Sequence, residues 1–361
     1  MAQAAPGAMW LPRIAGEHPE RAGEARPAWT SRISQERLTC MPSRRAVLLG
    51  AAAAGIVAGG GVATASFRRT LAAAEARISQ GSSTIETGFG TMEWGEAGSG
   101  TPILMIHGTG GGYDQGLAFC RRLSAGGFRV IAPSRFGYLR SGYPDDPSSA
   151  QQADAFVDLL DHLGIEKLPV AGGSAGALSA IEFAIRHPDR CSALIAIVPA
   201  SYAPERPSFQ PMSWWQEKTM RAMLESDLLF WAALGMARDT MIGTMLATDP
   251  ALVSAASAAE QARVGEILSG ILPVSRRSRG LMNDARLASD PARSELGRIR
   301  ARTLAISVED DRFGTADAAR HIAREVPGTR LVVYPTGGHV WVGHDEELFA
   351  EIAGFVRGLP T

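Results

Sequence analysis

Three places in this 361-residue chain carry side chains of the kind that cleave carbonyl compounds. They are Ser174 in Gly172-Gly173-Ser174-Ala175-Gly176, the acidic run Glu309-Asp310-Asp311, and His339 in Pro335-Thr336-Gly337-Gly338-His339. A serine hydroxyl is a weak nucleophile until a neighbouring base takes its proton, and histidine is the side chain suited to that task near neutral pH. A carboxylate behind the imidazole fixes its tautomer and stabilises its protonated form.

The elements that must position these groups are visible on either side of each. Lys167-Leu168-Pro169-Val170-Ala171 reads as a buried strand, and residues 177–185 read as a helix with apolar positions at helical spacing. Between them, small residues at 172 and 176 allow a sharp turn that exposes the Ser174 hydroxyl at the head of the helix. Without that context the same five residues are a glycine-rich loop with an incidental serine. Thr303-Leu304-Ala305-Ile306-Ser307 reads as a strand running into the acidic segment, where Glu309, Asp310 and Asp311 compete by residue type. Arg330-Leu331-Val332-Val333-Tyr334 reads as a strand whose following loop, freed by Gly337 and Gly338, carries His339. Of the other histidines, His18 falls in a polar tail, His162 and His321 in helical stretches, His187 in a His-Pro-Asp turn and His107 in a separate loop. His344 is the alternative base.

Five motifs together make the chain from residue 84 onward resemble an α/β-hydrolase. They are Ile106-His107-Gly108-Thr109-Gly110-Gly111-Gly112, Ala132-Pro133-Ser134-Arg135-Phe136-Gly137, the serine turn, Glu309-Asp310-Asp311-Arg312-Phe313 and Gly338-His339. Their wording is most similar to the hydrolases that cleave carbon–carbon bonds in ring-fission products, and to related esterases. The resemblance implies a mostly parallel sheet with helices on both faces, a helical cap, and a triad of Ser174, Asp311 and His339. It selects Asp311 because the family's acid falls three residues after the position held here by Val308, with Asp310 as competitor. It also implies an oxyanion hole made of two backbone amides. One is Ala175, at the positive head of the helix, and the other is Thr109, in the loop after the early strand. The chain departs from the family at Ser134, where Asp is frequent, and at Gly173, where a larger residue is common. It departs again at Val340, where ring-fission-product hydrolases carry an aromatic residue. A glycine-rich loop can also cradle phosphate, but this one lacks the P-loop lysine and the G-x-G-x-x-G pattern with its ribose-binding acid. No cofactor is expected, and the expected partner is a small-molecule substrate.

Composition, 45% hydrophobic and 20% charged, suits one catalytic domain. Residues 1–65 carry seven Arg against four acidic side chains, which leaves 66–361 at −4 and gives no basic surface for nucleic acid. Cys40, Cys120 and Cys191 have the spacing of neither a disulfide framework nor a metal site. Residues 1–42, rich in Pro, Gly, Arg and Glu without periodicity, read as a disordered extension. Ser43-Arg44-Arg45 then opens a segment, 43–67, that resembles a twin-arginine export signal. Residues 46–67 run for 22 positions without a charge, and Ala63-Thr64-Ala65 offers a cleavage site before Ser66. The same 22 residues are long enough to persist as a membrane anchor. Export to the periplasm or beyond, or anchorage through 46–67, are the two expectations, with Met41 an alternative start.

Periodicity supplies the remaining elements. A hairpin is expected near 84–97, strands at 102–106, 129–132 and 193–198, and helices near 114–125, 150–163, 316–326 and 346–358. Such alternation implies a parallel sheet covered on both faces. Residues 82–200 and 299–361 are assigned to this core. Residues 201–298 have no convincing strand, hold seven of the twelve methionines with Trp214, Trp215 and Trp231, and are assigned to the cap. Met adapts to irregular apolar surfaces, which suits a pocket for an apolar substrate, though Met and Trp on helices equally serve plain packing. The expected activity is hydrolysis of a small to medium ester or related carbonyl compound at Ser174. The alternatives are a ligand-binding or signalling protein that keeps the triad, and cofactor-free perhydrolytic or oxidative chemistry at the same residues. No pattern encodes the oligomeric state.

Overall fold

The computed structural model describes residues 44–206 and 213–359, with side chains from residue 60 onward. The chain divides into two units, Met1–Val57 and Ala58–Thr361. The expected extension 1–42 and Ser43 lie outside the described residues, as do the side chains of 46–59 in the segment read as signal or anchor. A helix, α1, is continuous over Arg44–Ile78. Among the described residues no helix is long and apolar enough to cross a membrane.

The second unit is built on eight strands: β1 (Ser83–Thr87), β2 (Gly90–Ala97), β3 (Thr101–Ile106), β4 (Phe128–Pro133), β5 (Leu168–Gly173), β6 (Cys191–Ile197), β7 (Arg302–Val308) and β8 (Arg330–Tyr334). They form one sheet in the order β1-β2-β4-β3-β5-β6-β7-β8, antiparallel at β1–β2 and β2–β4 and parallel elsewhere. Along β3, Ile103 and Met105 enter one apolar layer while Leu104 and Ile106 enter the other, the alternation of a strand covered on both faces. One layer lies beneath α4 (Ser149–His162), α5 (Gly176–Arg186) and α12 (Thr315–Glu325), with Phe156, Leu159, Ile181 and Ile322 within it. The other lies beneath α2 (Tyr113–Phe119), α3 (Arg121–Ala125) and α13 (Asp345–Arg357), with Leu123, Leu348 and Phe349. The observed architecture is therefore a mostly parallel sheet with helices on both faces. Strand order reverses between the neighbours β3 and β5, and the crevice beyond their carboxyl ends is where open α/β sheets bind ligands.

Between β6 and β7 the described residues form no strand but six α-helices, α6 (Trp214–Glu225), α7 (Asp227–Met236), α8 (Arg238–Met245), α9 (Pro250–Ala255), α10 (Ala258–Ser269) and α11 (Ser278–Ser289), with two single 3-10 turns at Val274–Arg276 and Leu296–Arg298. Their starts follow local sequence signals. Ser213 and Gln216 form a reciprocal capping box before α6, and Asp249 caps α9 with Pro250 in its first turn. These helices enclose a third apolar cluster, in which Phe230, Ile242, Ile267 and Leu281 meet Tyr138 and Val340 from loops of the sheet and Ala74 from α1.

Three sequence expectations shift. The helix expected near 114–125 is two, parted at Cys120 (φ −89°, ψ 17°), whose turn sends Cys120 and Leu123 into the layer under α13. Cys191 lies inside β6 rather than before it. Helix α1 continues past the uncharged run because its end is fastened. Arg77 Nη2 donates to the carbonyls of Gly270 and Leu272 (2.9 and 2.5 Å), and Tyr113 Oη donates to that of Gln80 (2.6 Å).

Candidate active site

Ser174 stands at the crevice, between the end of β5 and the start of α5. Its φ of 51° lies in the left-handed region, which costs a non-glycine residue about 1–3 kcal/mol and persists only where surroundings over-determine it. Here they do: its amide donates to Ile197 O (2.9 Å), and its carbonyl accepts from Ala177 N (3.0 Å) and Ala200 N (3.1 Å). The outer glycines of the turn are sterically required. A Cβ at Gly176 would sit 2.4 Å from the His107 carbonyl oxygen, and one at Gly172 would sit 2.6 Å from that of Gly176. At Gly173 the nearest atom would be Met105 Cε at 3.6 Å, so nothing there demands glycine.

The three residues read from sequence meet at this turn. His339 Nε2 lies 2.9 Å from Ser174 Oγ, and His339 Nδ1 lies 2.8 Å from Asp311 Oδ2. Gly337 and Gly338, at φ 138° and 62°, bend the loop inward, and the Phe313 ring stands edge-on to the imidazole at 4.9 Å. The Asp311 side chain is wholly buried. Burial pushes its pKa up, but the charge of His339 and hydrogen bonds from His339, Thr315 and the Phe313 amide outweigh that and hold the carboxyl below its ordinary value. The ionised carboxylate assigns the Nδ1 proton to the imidazole and leaves Nε2 to accept from Ser174. Asp310 does something else: its Oδ1 accepts the Gly338 amide at 2.7 Å and so shapes the histidine loop. His344 stacks on Tyr334 at 4.3 Å and meets Glu347 through Nδ1 (3.1 Å), which engages it away from Ser174.

Ala175 follows Ser174, and Thr109 follows Gly108 in the loop after β3. The loop after β3 lies against the serine turn so closely that a Cβ on Gly108 would be 3.2 Å from Ser174 Cβ. Ala175 is the N-cap of α5, where amides lack intrahelical partners and face the positive end of the helix. Among the described residues, neither the Thr109 nor the Ala175 amide donates to a backbone acceptor.

Behind this loop lies a buried polar framework. His107 is enclosed, and burial first, then the neighbouring charges of Arg135 and Arg277, hold its pKa well below the ordinary value despite a hydrogen bond to Gly108. The neutral ring accepts the Arg135 amide at Nε2 (3.0 Å) and donates from Nδ1 to Gly108 O (2.7 Å). Arg135 makes a bidentate pair with Asp284 of α11, and Arg277, just before α11, makes another with Asp114 at the start of α2. Sequence reading missed Arg277 and Asp284, having weighed only the Met and Trp residues of the cap. A signal was present: Arg277, Gly280, Leu281 and Asp284 recur at i, i+3, i+4 and i+7, which is the buried face of α11.

This fold recurs in known proteins. The sequence pattern of the alpha/beta hydrolase fold family matches residues 101–342, and the chain belongs to that family. It is a hydrolase, as the motifs led one to expect. The 2-hydroxy-6-oxo-6-phenylhexa-2,4-dienoate hydrolase of Burkholderia cepacia is 27% identical over 249 residues, 68% of this chain and 83% of its own. Its counterpart of the same name from Comamonas testosteroni is 28% identical over 272 residues, 71% of this chain and 87% of its own. Among solved structures, an alpha/beta hydrolase fold protein from Nakamurella multipartita superposes with a TM-score of 0.61 at 29% identity, covering 76% of this chain and 99% of that one. A thermophilic esterase from Thermogutta terrifontis shares the fold at 21% identity and a TM-score of 0.55, covering 78% of this chain and 99% of its own.

Proposed function

We propose that the protein is a serine hydrolase that forms an acyl-enzyme on Ser174, with His339 as base and Asp311 as its supporting acid, acting on a small to medium apolar ester. The observation that carries this reading is the relay Ser174–His339–Asp311, with links of 2.9 and 2.8 Å, on a nucleophile held in a left-handed turn. His339 Nε2 takes the Oγ proton as Oγ bonds to the carbonyl carbon, and the carbonyl oxygen becomes an oxyanion facing the amides of Thr109 and Ala175. Collapse expels the alcohol, which receives the proton from His339. Water activated by the same imidazole then releases the acid and restores Ser174. Ile271 of the cap packs against Gly110, and Val340 belongs to the cap's apolar cluster, so the surroundings suit a hydrocarbon-bearing substrate.

A second reading, carbon–carbon cleavage of a 2-hydroxy-6-oxo-dienoate at the same triad, is favoured by the names of the Burkholderia and Comamonas relatives. Against it stands Val340, beside the histidine where the resemblance leads one to expect an aromatic ring. A fluorophosphonate probe is expected to label the wild-type chain and not Ser174→Ala. Steady-state turnover of p-nitrophenyl esters of graded acyl length, beside a ring-fission dienoate, then separates the two substrates. A single acylation without turnover would support a ligand-binding protein instead. For residues 43–67 the accompanying proposal is twin-arginine export, with retention as an anchor the competing outcome.

A further inference from the structure

The loop between His107 and Gly112 is a weak structure by composition. Gly110, Gly111 and Gly112 follow one another, so this backbone has little conformational preference of its own; one turn bond, from the Gly111 amide to the Gly108 carbonyl (3.2 Å), closes it from within, and its other bonds come from outside. The outside groups are Arg277, at the end of the cap, and Arg135 and Tyr138 of the loop after β4, both of which the cap's Asp284 holds in turn. Arg277 is fully buried, and its Nη1 donates to the carbonyl of Gly111 while its two terminal nitrogens pair with Asp114 at 3.0 and 2.8 Å. Asp284, also buried, receives Arg135 at 2.7 and 2.5 Å and the Tyr138 hydroxyl at 2.5 Å. That hydroxyl in turn accepts the Gly110 amide at 3.2 Å, and Arg135 Nε donates to the His107 carbonyl at 3.0 Å. The loop is therefore gripped on both sides of Thr109, at His107 O before it and at Gly110 N and Gly111 O after it.

Nothing about roofing a pocket requires this. Buried ions are expensive to desolvate, and apolar contacts would close a cap as well. What buried bidentate pairs add is fixed direction. Helix α11 is pressed against Tyr138 so tightly that a Cβ on Gly280 would lie 2.2 Å from the ring, which leaves the hydroxyl little freedom. We infer that Arg277 and Asp284, with Tyr138 as intermediary, are positioning residues for the Thr109 amide, so that the last helix of the cap sets the shape of the oxyanion hole. This rests on the serine-hydrolase reading above.

The test uses the full chain with Tyr138→Phe, which removes one hydroxyl, together with Asp284→Asn and Arg277→Met. Four quantities are compared on a p-nitrophenyl ester: kcat, KM, inhibition by a phenylboronic acid that forms a tetrahedral serine adduct, and inhibition by the carboxylic acid product. Tyr138→Phe is expected to lower kcat by about tenfold to a hundredfold. Boronate affinity should fall by a similar factor, while KM and product affinity stay within about twofold. A merely structural role would lower Tm without splitting kcat from KM. Unchanged kcat and boronate affinity would overturn the proposal, as would a rise in KM matched by weaker product binding, since that places these residues in the pocket. A wild-type chain that a fluorophosphonate leaves unlabelled overturns the catalytic reading and this inference with it; a labelled wild type with an indifferent Tyr138→Phe overturns this inference alone. If Arg277→Met does not fold, Tyr138→Phe and Asp284→Asn decide the matter.

Discussion

Asp310 and Asp311 are adjacent carboxylates with different tasks, and replacing each by its amide separates them. Asp311 accepts through Oδ1 from the Phe313 amide (2.9 Å) and through Oδ2 from His339 Nδ1 (2.8 Å) and Thr315 Oγ1. In Asp311→Asn, an oxygen kept on the Phe313 amide turns the new –NH2 toward Nδ1. Two donors then meet unless the ring proton moves to Nε2, where it blocks the lone pair that Ser174 needs. The comparable tautomer defect in a serine protease lowers kcat about 10⁴-fold, or about 5.4 kcal/mol at 1.36 kcal/mol per decade. Among the described residues Asp310 holds only the Gly338 amide, and an asparagine oxygen still accepts it. Weakening a charge-assisted bond to a neutral one costs about 1 kcal/mol, so Asp310→Asn should lose no more than about fivefold. The assay is kcat on a p-nitrophenyl ester, normalised to fluorophosphonate-titrated sites, with Tm measured alongside. A larger loss in Asp310→Asn would show that the acid loop is assigned one residue out. Activity within tenfold of wild type in Asp311→Asn would refute the tautomer argument altogether.

The serine turn gives a steric contrast. Gly176→Ala drives a Cβ to 2.4 Å from a backbone oxygen and should cost about 1–3 kcal/mol with most of the activity, whereas Gly173→Ala, with 3.6 Å to a flexible methionine, should leave Tm and kcat nearly unchanged. Equal effects would mean that the turn tolerates a side chain at its tightest point. Because His107 is held neutral in the folded state while the unfolded residue protonates near pH 6.5, the unfolded chain binds more protons below that value. Stability should thus be fullest above about pH 6.5 and fall by about 1.4 kcal/mol per pH unit below it, down to the lowered folded pKa. Urea unfolding at pH 7.5, 6.5 and 5.5 should show a shallower acid slope in His107→Gln, and an identical slope would remove His107 from the account. Replacing Arg44 and Arg45 by lysine should retain the protein inside the cell, and mass spectrometry of the exported form should begin at Ser66. A membrane-bound product that still contains residues 46–67 would establish the anchor instead.

The parts of the site legible in sequence are those whose signals are local. Ser174 and His339 each follow a short apolar strand and stand beside glycines that only a sharp turn explains, so strand, turn and chemistry can be read within ten residues. The choice of Asp311 needed more, because Asp310 is identical in type and the difference lies in which oxygen meets a ring 28 residues away. Arg277 and Asp284 were not legible as partners. Charged residues in a helical segment ordinarily mark a solvated face, and what these two meet are two separate loops, 149 and 166 residues earlier in the chain. Helix α1 likewise ends where Arg77 finds carbonyls of the distant 270–272 turn, which nothing in its own stretch announces.

The cap leaves the sheet after β6 and returns at β7, two strands that pair directly from Ala193↔Arg302 to Ile197↔Ile306. An insertion between points one strand apart is nearly indifferent to its own length, since closing a longer loop costs only logarithmically more. Evolution can therefore exchange such a segment as a cassette, and so can an engineer who wants a new substrate. In this chain the cassette is asymmetric. Residues 214–269 meet the histidine loop, where Arg263 Nη2 donates to Val340 O (2.7 Å) and Glu260 accepts the Gly343 amide (2.9 Å), whereas the stretch from Arg277 to Asp284 is bonded to the loop beside Ser174. A graft joined before Arg277 keeps the native grip on that loop, whereas one joined at 298 replaces it with whatever the donor sequence happens to supply.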